Sequence, residues 1–133
     1  MPFVLDASIC AVWALTDESD ALADLAMAQL AYEPATVPAL WWFEIRNVLI
    51  INERRKRLSS DGSQEFLKFL GGFPIWIDNE PDEDPTFEFA RKHQLSFYDA
   101  AYLEVARRKE LPLATLDKAL RSAAEAAGVP LLT

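Results

Sequence analysis

Short apolar runs that stop abruptly alternate with helix-compatible stretches along this chain, and that alternation restricts its fold more than any other feature. Phe3-Val4-Leu5 breaks off at Asp6, and Ala35-Thr36-Val37-Pro38 is held extended by its proline. Pro74-Ile75-Trp76-Ile77-Asp78 and Leu111-Pro112-Leu113-Ala114-Thr115 are two further strand candidates, and Val129-Pro130-Leu131-Leu132 is a last short one. Between them lie segments with apolar residues at helical spacing. Strands feeding into helices in this order imply an α/β fold: a mostly parallel central sheet with helices on both faces. There is no internal repeat and no low-complexity tract, and 133 residues fit one domain, residues 1–133.

The helical segments have recognisable ends. Ala7 to Leu15 is apolar and follows Asp6 directly. Thr16 offers an N-cap for a second helix carrying Leu22, Leu25, Ala26 and Leu30, with Asp17, Glu18 and Asp20 around its first turn. Pro38 is expected to precede a helix to about Arg57, with Trp41, Ile45, Val48 and Ile51 at helical spacings and Glu44 on the face of Val48 and Ile51. A fourth helix places Phe66, Leu67, Phe69 and Leu70 on its apolar side and stops at Gly71-Gly72. Pro81 to Pro85 reads as an acidic turn, and Thr86 to His93 as a short helix with Phe87 and Ala90 inward. Ser96 is a natural cap for a helix from Phe97 to about Lys109, and Asp117 opens a last one to Ala127, closed by Gly128.

Several classes of chemistry are excluded by what the chain lacks. One histidine and one cysteine leave no nitrogen or sulfur set for zinc, so any metal must be a hard cation held by oxygens. A lone Cys10 forms no intrachain disulfide, and Met1 to Asp6 lacks the charged and apolar regions of a secretory signal, so the cytoplasm is the expected compartment. No apolar run is long enough to span a bilayer. A net charge of −8 disfavours a broad basic face for nucleic acid, but it is compatible with an acidic pocket neutralised by a cation or with a basic partner.

Four acids sit beside residues that should be core: Asp6, Glu44, Asp99 and Asp117. Structural roles can be written for three of them. Asp6 and Asp117 can cap helices, and Ser96-x-x-Asp99 matches a capping box. Glu44 resists that reading, because it lies about two turns inside its predicted helix among Trp41, Trp42, Phe43 and Ile45. A lone buried carboxylate costs several kcal/mol or loses its charge. Arg46 and Lys118 are candidate partners, but a cluster of acids favours a shared cation such as magnesium or manganese. Ser8 and Thr115 are small hydroxyls placed to orient a water or a carboxylate. Asp6 and Asp117 both follow strand ends, where ligands bind in folds of this class.

Other features carry bland expectations. Arg54 to Arg57 and Arg107-Arg108-Lys109 read as solvated helix ends. Trp41, Trp42, Phe43 and Trp76 are expected in the core or on a dimer face rather than as a base-stacking platform. Cys10 is expected to be an inert small hydrophobe, and His93 to be exposed and without catalytic duty. No glycine-rich phosphate loop and no Ser/His/Asp set is present.

Taken together, Val4-Leu5-Asp6-Ala7-Ser8, Phe43-Glu44-Ile45-Arg46-Asn47-Val48-Leu49, Ser96-Phe97-Tyr98-Asp99-Ala100-Ala101-Tyr102 and Leu113-Ala114-Thr115-Leu116-Asp117 resemble PIN-domain proteins, specifically VapC-type toxins of type II toxin–antitoxin systems. The resemblance covers essentially the whole chain, and the order and spacing of the four motifs carry it. It implies a compact three-layer α/β/α sandwich, usually a homodimer, and a ribonuclease using one or two magnesium or manganese ions, with transfer RNA among the substrates of such proteins. Carried over residue by residue, Asp6, Glu44 and Asp99 would be the core metal set and Asp117 the fourth acid, with Ser8 and Thr115 in support. The implied partner is a small VapB-type antitoxin with a DNA-binding end. Two rivals remain at this stage: a PIN-like module whose acids are caps and which acts only through a protein partner, and a receiver-type phosphoacceptor domain. The last expects an early acid pair and a late strand-end lysine, whereas Asp6 stands alone and Lys118 lies at a helix start.

Overall fold

The computed structural model describes residues 1–133. Three strands form where the apolar runs predict them: β1 (Phe3–Leu5), β2 (Ala35–Pro38) and β3 (Ile75–Asp78); the fourth, β4 (Leu113–Ala114), is shorter than expected. They make one sheet in the order β3-β2-β1-β4, and every pairing is parallel. The chain therefore steps one way from β1 to β2 to β3, then jumps back across the sheet to β4. Parallel crossovers are right-handed, so steps in opposite directions put their helices on opposite faces. The first two crossovers carry α1 (Ala7–Ala14), α2 (Ala21–Leu30), α3 (Leu40–Arg54) and α4 (Ser60–Leu70). The jump carries α5 (Glu83–His93) and α6 (Phe97–Lys109), and α7 (Lys118–Ala126) follows β4 and packs on α6. The result is the expected three-layer α/β/α sandwich.

Phe3, Val4 and Leu5 are wholly buried, as a strand covered on both faces must be. α6 lies across the sheet and is buried nearly all round from Tyr102 to Ala106, which explains why its sequence shows little amphipathic periodicity. Cys10 is buried in the same core, as expected. No helix is long and apolar enough to cross a membrane.

The departures from expectation have local causes. Asp20, not Thr16, caps α2: its Oδ1 accepts from the N–H groups of Leu22 and Ala23 at 2.7 and 3.1 Å. Asp17 and Glu18 turn instead to Arg57, which is thereby an ion-pair partner rather than a free helix end. α5 begins at Glu83, because Pro85 is tolerated in a first turn where its missing N–H is unneeded. Phe87 on α5 is partly exposed rather than inward. α5 and α6 end on left-handed Gln94 and Glu110, so neither carries a glycine stop signal. The predicted last strand is reduced to a single parallel bridge between Leu113 and Leu131. His93 is half-buried rather than exposed, with its Nε2 buried and unpaired.

Candidate active site

β1 is the point where the chain's direction of travel across the sheet reverses, since β2 lies on one side of it and β4 on the other. In open parallel sheets the crossovers diverge there and leave a crevice beyond the strands' carboxyl ends. Asp6 is the residue after β1, and Thr115 to Asp117 follow β4. The register pairs Leu5 with Ala114, and the Asp6 N–H donates to the Ala114 carbonyl at 3.0 Å. Asp6 and Thr115 are therefore neighbours because of the sheet itself. Two hydroxyls converge on one carboxylate oxygen: Ser8 Oγ donates to Asp6 Oδ2 at 2.6 Å and Thr115 Oγ1 at 2.7 Å. Each hydroxyl is oriented in turn by a backbone donor, Leu116 N–H to Ser8 Oγ at 2.9 Å and Asp117 N–H to Thr115 Oγ1 at 3.1 Å. Asp6 is only 6% exposed. Burial pushes its carboxyl above the usual range, and the Ser8 and Thr115 hydrogen bonds partly oppose that.

Glu44 arrives from α3. That helix starts at Leu40, so Glu44 lies just past its first turn, nearer the end than expected but still not a cap. It is half-buried and accepts a 2.5 Å hydrogen bond from the Tyr102 hydroxyl of α6. Its carboxyl is raised by burial, with Asp6 and Asp99 repelling its charge. Asp99 comes from the first turn of α6, which Ser96 caps: Ser96 Oγ accepts the Asp99 N–H at 3.0 Å. Asp99 too is raised, by burial first and then by the charges of Asp117 and Asp6. Asp117 caps α7, its Oδ1 accepting the Leu120 N–H at 2.9 Å.

All four acids line one cavity of about 260 Å³, together with Asn47 and Ser8. None of the chain's ion pairs reaches any of them. Arg46 is not Glu44's partner; its guanidinium stacks 4.0 Å over the Trp42 ring and donates to the Trp42 carbonyl. Lys118 lines a different cavity with Asp20 and Arg121. The acids are thus mutually repelling and unneutralised by the protein. No three of them close into a tight ligand cluster. Magnesium keeps several waters and takes one or two direct carboxylates, so it does not require three converging acids. The four or five remaining waters at about 30 Å³ each need roughly 120–150 Å³, which the cavity accommodates. The donor set fits.

Two residues of the site lie outside the sequence reading. Tyr102 looks like core from its place on α6, and only its hydroxyl reaches Glu44. Asn47 lines both this cavity and a larger neighbouring one of about 660 Å³; its position one turn beyond Phe43 on α3 was the available signal.

The sequence model of the PIN domain matches residues 3–126. No curated protein sequence matches the chain. Among solved structures, PAE2754 from Pyrobaculum aerophilum superposes with a TM-score of 0.69 at 25% identity, over 92% of this chain and 87% of that one. VapC20 of Mycobacterium tuberculosis, a toxin that cleaves the sarcin-ricin loop, superposes with a TM-score of 0.60 at 17% identity, over 92% of this chain and 95% of that one. FitAcB from Neisseria gonorrhoeae gives 0.69 at 17% identity, over 100% and 97%. At 17% identity the last two likenesses are of fold alone.

Proposed function

Since the chain belongs to the PIN-domain family, we propose that it is a metal-dependent endoribonuclease, a VapC-type toxin restrained by a cognate VapB-type antitoxin. One observation carries the proposal: Asp6, Glu44, Asp99 and Asp117 line a single cavity at the sheet's switch point, with no protein cation among them. PIN domains are typically endoribonuclease domains, which supports RNA as the substrate class. The shared fold of the sarcin-ricin-loop-cleaving toxin supports a structured RNA, and transfer RNA is one such candidate.

Asp6, Glu44 and Asp99 would hold magnesium or manganese, with the exposed Asp117 as the fourth acid lining the cavity. When bound, such an ion supplies Lewis-acid stabilisation of a phosphate and lowers the pKa of a water for attack on the phosphodiester. Ser8 and Thr115 fix Asp6 by binding one of its oxygens, which orients the other. Tyr102 does the same for Glu44. Their hydrogen bonds favour the charged carboxylates that a cation needs, against the effect of burial. No side-chain nucleophile takes part. A homodimer is proposed on the exposed Trp42, Phe69 and Trp76, which a second copy would cover, and the cytoplasm as the compartment where RNA is met.

The test is cleavage of RNA by the purified protein with magnesium or manganese. Cleavage should stop on chelation and in Asp6→Asn and Asp99→Asn. Cleavage that survives either treatment would overturn the proposal. The rival reading, a non-catalytic binding module, draws its support from Asp117, whose Oδ1 caps α7. It expects no divalent effect on either activity or stability.

A further inference from the structure

The larger cavity beside the acids is not needed to hold a cation, and its walls have a different chemistry. It measures about 660 Å³, within the range of about 300–1,000 Å³ typical of small-molecule sites. It shares Glu44, Asn47 and Asp99 with the acidic cavity, so the two adjoin. Phe43 of α3 and Tyr98 of α6 both line it, and they are 69% and 66% exposed. Exposed aromatics at adjacent helix positions to Glu44 and Asp99 are not core residues that failed to bury. Consecutive residues on a helix point about a quarter-turn apart, so Phe43 and Tyr98 line the larger groove alone while Glu44 and Asp99 line both cavities. Of the two places expected for Phe43, the core and a dimer face, its exposure excludes the core.

Resting on the endoribonuclease reading, we infer that this groove is a stacking subsite for one unpaired nucleobase beside the scissile phosphate, with Phe43 and Tyr98 as its aromatic surfaces. The adjacency of the two cavities carries this assignment. A phosphate held over Asp6 and Asp99 carries a nucleoside on each side, and the contiguous space is this groove. Stacking on aromatic faces is how single-stranded nucleic acid is held without sequence reading, because every base offers a π-face. Asn47 stands on the line between the two cavities and brings an amide able to donate and accept at a base edge. Arg46, free of any ion pair and stacked on Trp42, supplies the groove's cation toward the RNA backbone. A duplex keeps its bases stacked on one another and cannot use the site. The subsite therefore selects looped or extruded nucleotides, and it lets a chain of net charge −8 bind RNA without a broad basic face.

The probe is a mixed-sequence single-stranded RNA oligonucleotide carrying 2-aminopurine, whose fluorescence falls on stacking, compared with the same strand in a duplex. In rapid mixing of the native protein with manganese, read before cleavage proceeds, the single strand should bind with quenching and the duplex more weakly. Tyr98→Ala and Phe43→Ala should each weaken binding roughly five- to hundred-fold and relieve the quenching. Tyr98→Phe should keep both, which separates stacking from a folding defect. Unchanged affinity and quenching in Tyr98→Ala, alongside intact cleavage in the otherwise native protein, would overturn the subsite and leave the nuclease standing. Quenching that depends on Tyr98 without any divalent-dependent cleavage would uphold the subsite and sink the nuclease. If no single-stranded RNA binds, or if the alanine variants lose only self-association or capture of a protein segment, the subsite is refuted.

Discussion

Asp99→Asn separates a cation site from a set of helix caps, because the two readings predict opposite signs. Ser96 Oγ accepts the Asp99 backbone N–H, and an asparagine oxygen can still accept from the Ser96 hydroxyl, so the cap of α6 survives the substitution. What disappears is a negative charge facing Asp117 and Asp6. Like charges across a water-filled cleft repel by about 1 kcal/mol per pair, so two partners give about 2 kcal/mol. An acid in a helix's first turn is itself favourable by about 0.3–1 kcal/mol, which leaves a net gain of about 1 kcal/mol for the asparagine. The unfolding entropy of a chain this size is about 0.28 kcal/mol/K, so the melting temperature in chelator at pH 7.5 should rise by about 3–4 °C. The pH dependence has a fixed sign. A carboxyl raised in the folded state carries no penalty below its unfolded value near 3.8, and the full penalty above its folded value. Without divalent ions, stability should thus fall as pH climbs upward from about 4, less steeply in the variant. Manganese at a hundred times its dissociation constant should then restore about 2.7 kcal/mol to the native protein, about 10 °C, and much less to Asp99→Asn. Scanning calorimetry reads all four conditions. A variant that melts lower in chelator, with manganese shifting neither protein, would leave the acids as helix caps and rule out a cation site.

Three more outcomes follow from single contacts. Thr115→Val removes one of two hydroxyls on the buried Asp6 Oδ2 while keeping volume, so the melting temperature should drop by the equivalent of about 1–3 kcal/mol; an unchanged transition would mean that Asp6 is solvated. Tyr102→Phe frees Glu44 from its only side-chain hydrogen bond and should weaken manganese binding by about 10–100-fold in calorimetric titration, with little loss of fold. Arg108 ties α6 to the end of β3 through Glu104 and Asp78, whose side chains are 2% and 7% exposed. Arg108→Met should cost about 3 kcal/mol, visible as a lower urea midpoint, because it leaves the buried Glu104 carboxylate without a cation and Asp78 with only Lys109 at 3.9 Å. The Arg108 hydrogen bonds hold the Asp78 carboxyl below its usual range. Its contribution is therefore present above the unfolded value and lost as pH falls through the folded one, an acid limb that Asp78→Asn should remove.

The parts of the fold that were legible are those encoded in neighbours along the chain. Phe3-Val4-Leu5-Asp6, the Ser96 cap and the proline-limited β2 each declare themselves within a few residues. The misreadings arose where a distant partner decides. Thr16 is as good a cap as Asp20 until Arg57 claims Asp17 and Glu18. Phe87 has a core residue's character but lies against Phe97 at a ring separation of 4.8 Å with Arg91 over it, a surface cluster. Tyr102 as a hydrogen-bond donor to Glu44 requires α3 and α6, from opposite faces of the sheet, to meet beyond the strands' carboxyl ends, and no local pattern states that.

Glu44 was the acid that local roles could not absorb, and its surroundings now say why. Capping accounts for Asp117, and hydroxyls account for one oxygen of Asp6. Glu44 has a single donor, two repelling neighbours and no cation. A chain selected for stability alone would replace such a residue, since a half-buried carboxylate facing two others is a standing cost. Retaining four acids around one cavity makes physical sense where a ligand of opposite charge recovers that cost on binding. The same repulsion that weakens the free protein is then the source of its affinity for a cation, and stability measured with and without manganese reads the strength of the site directly.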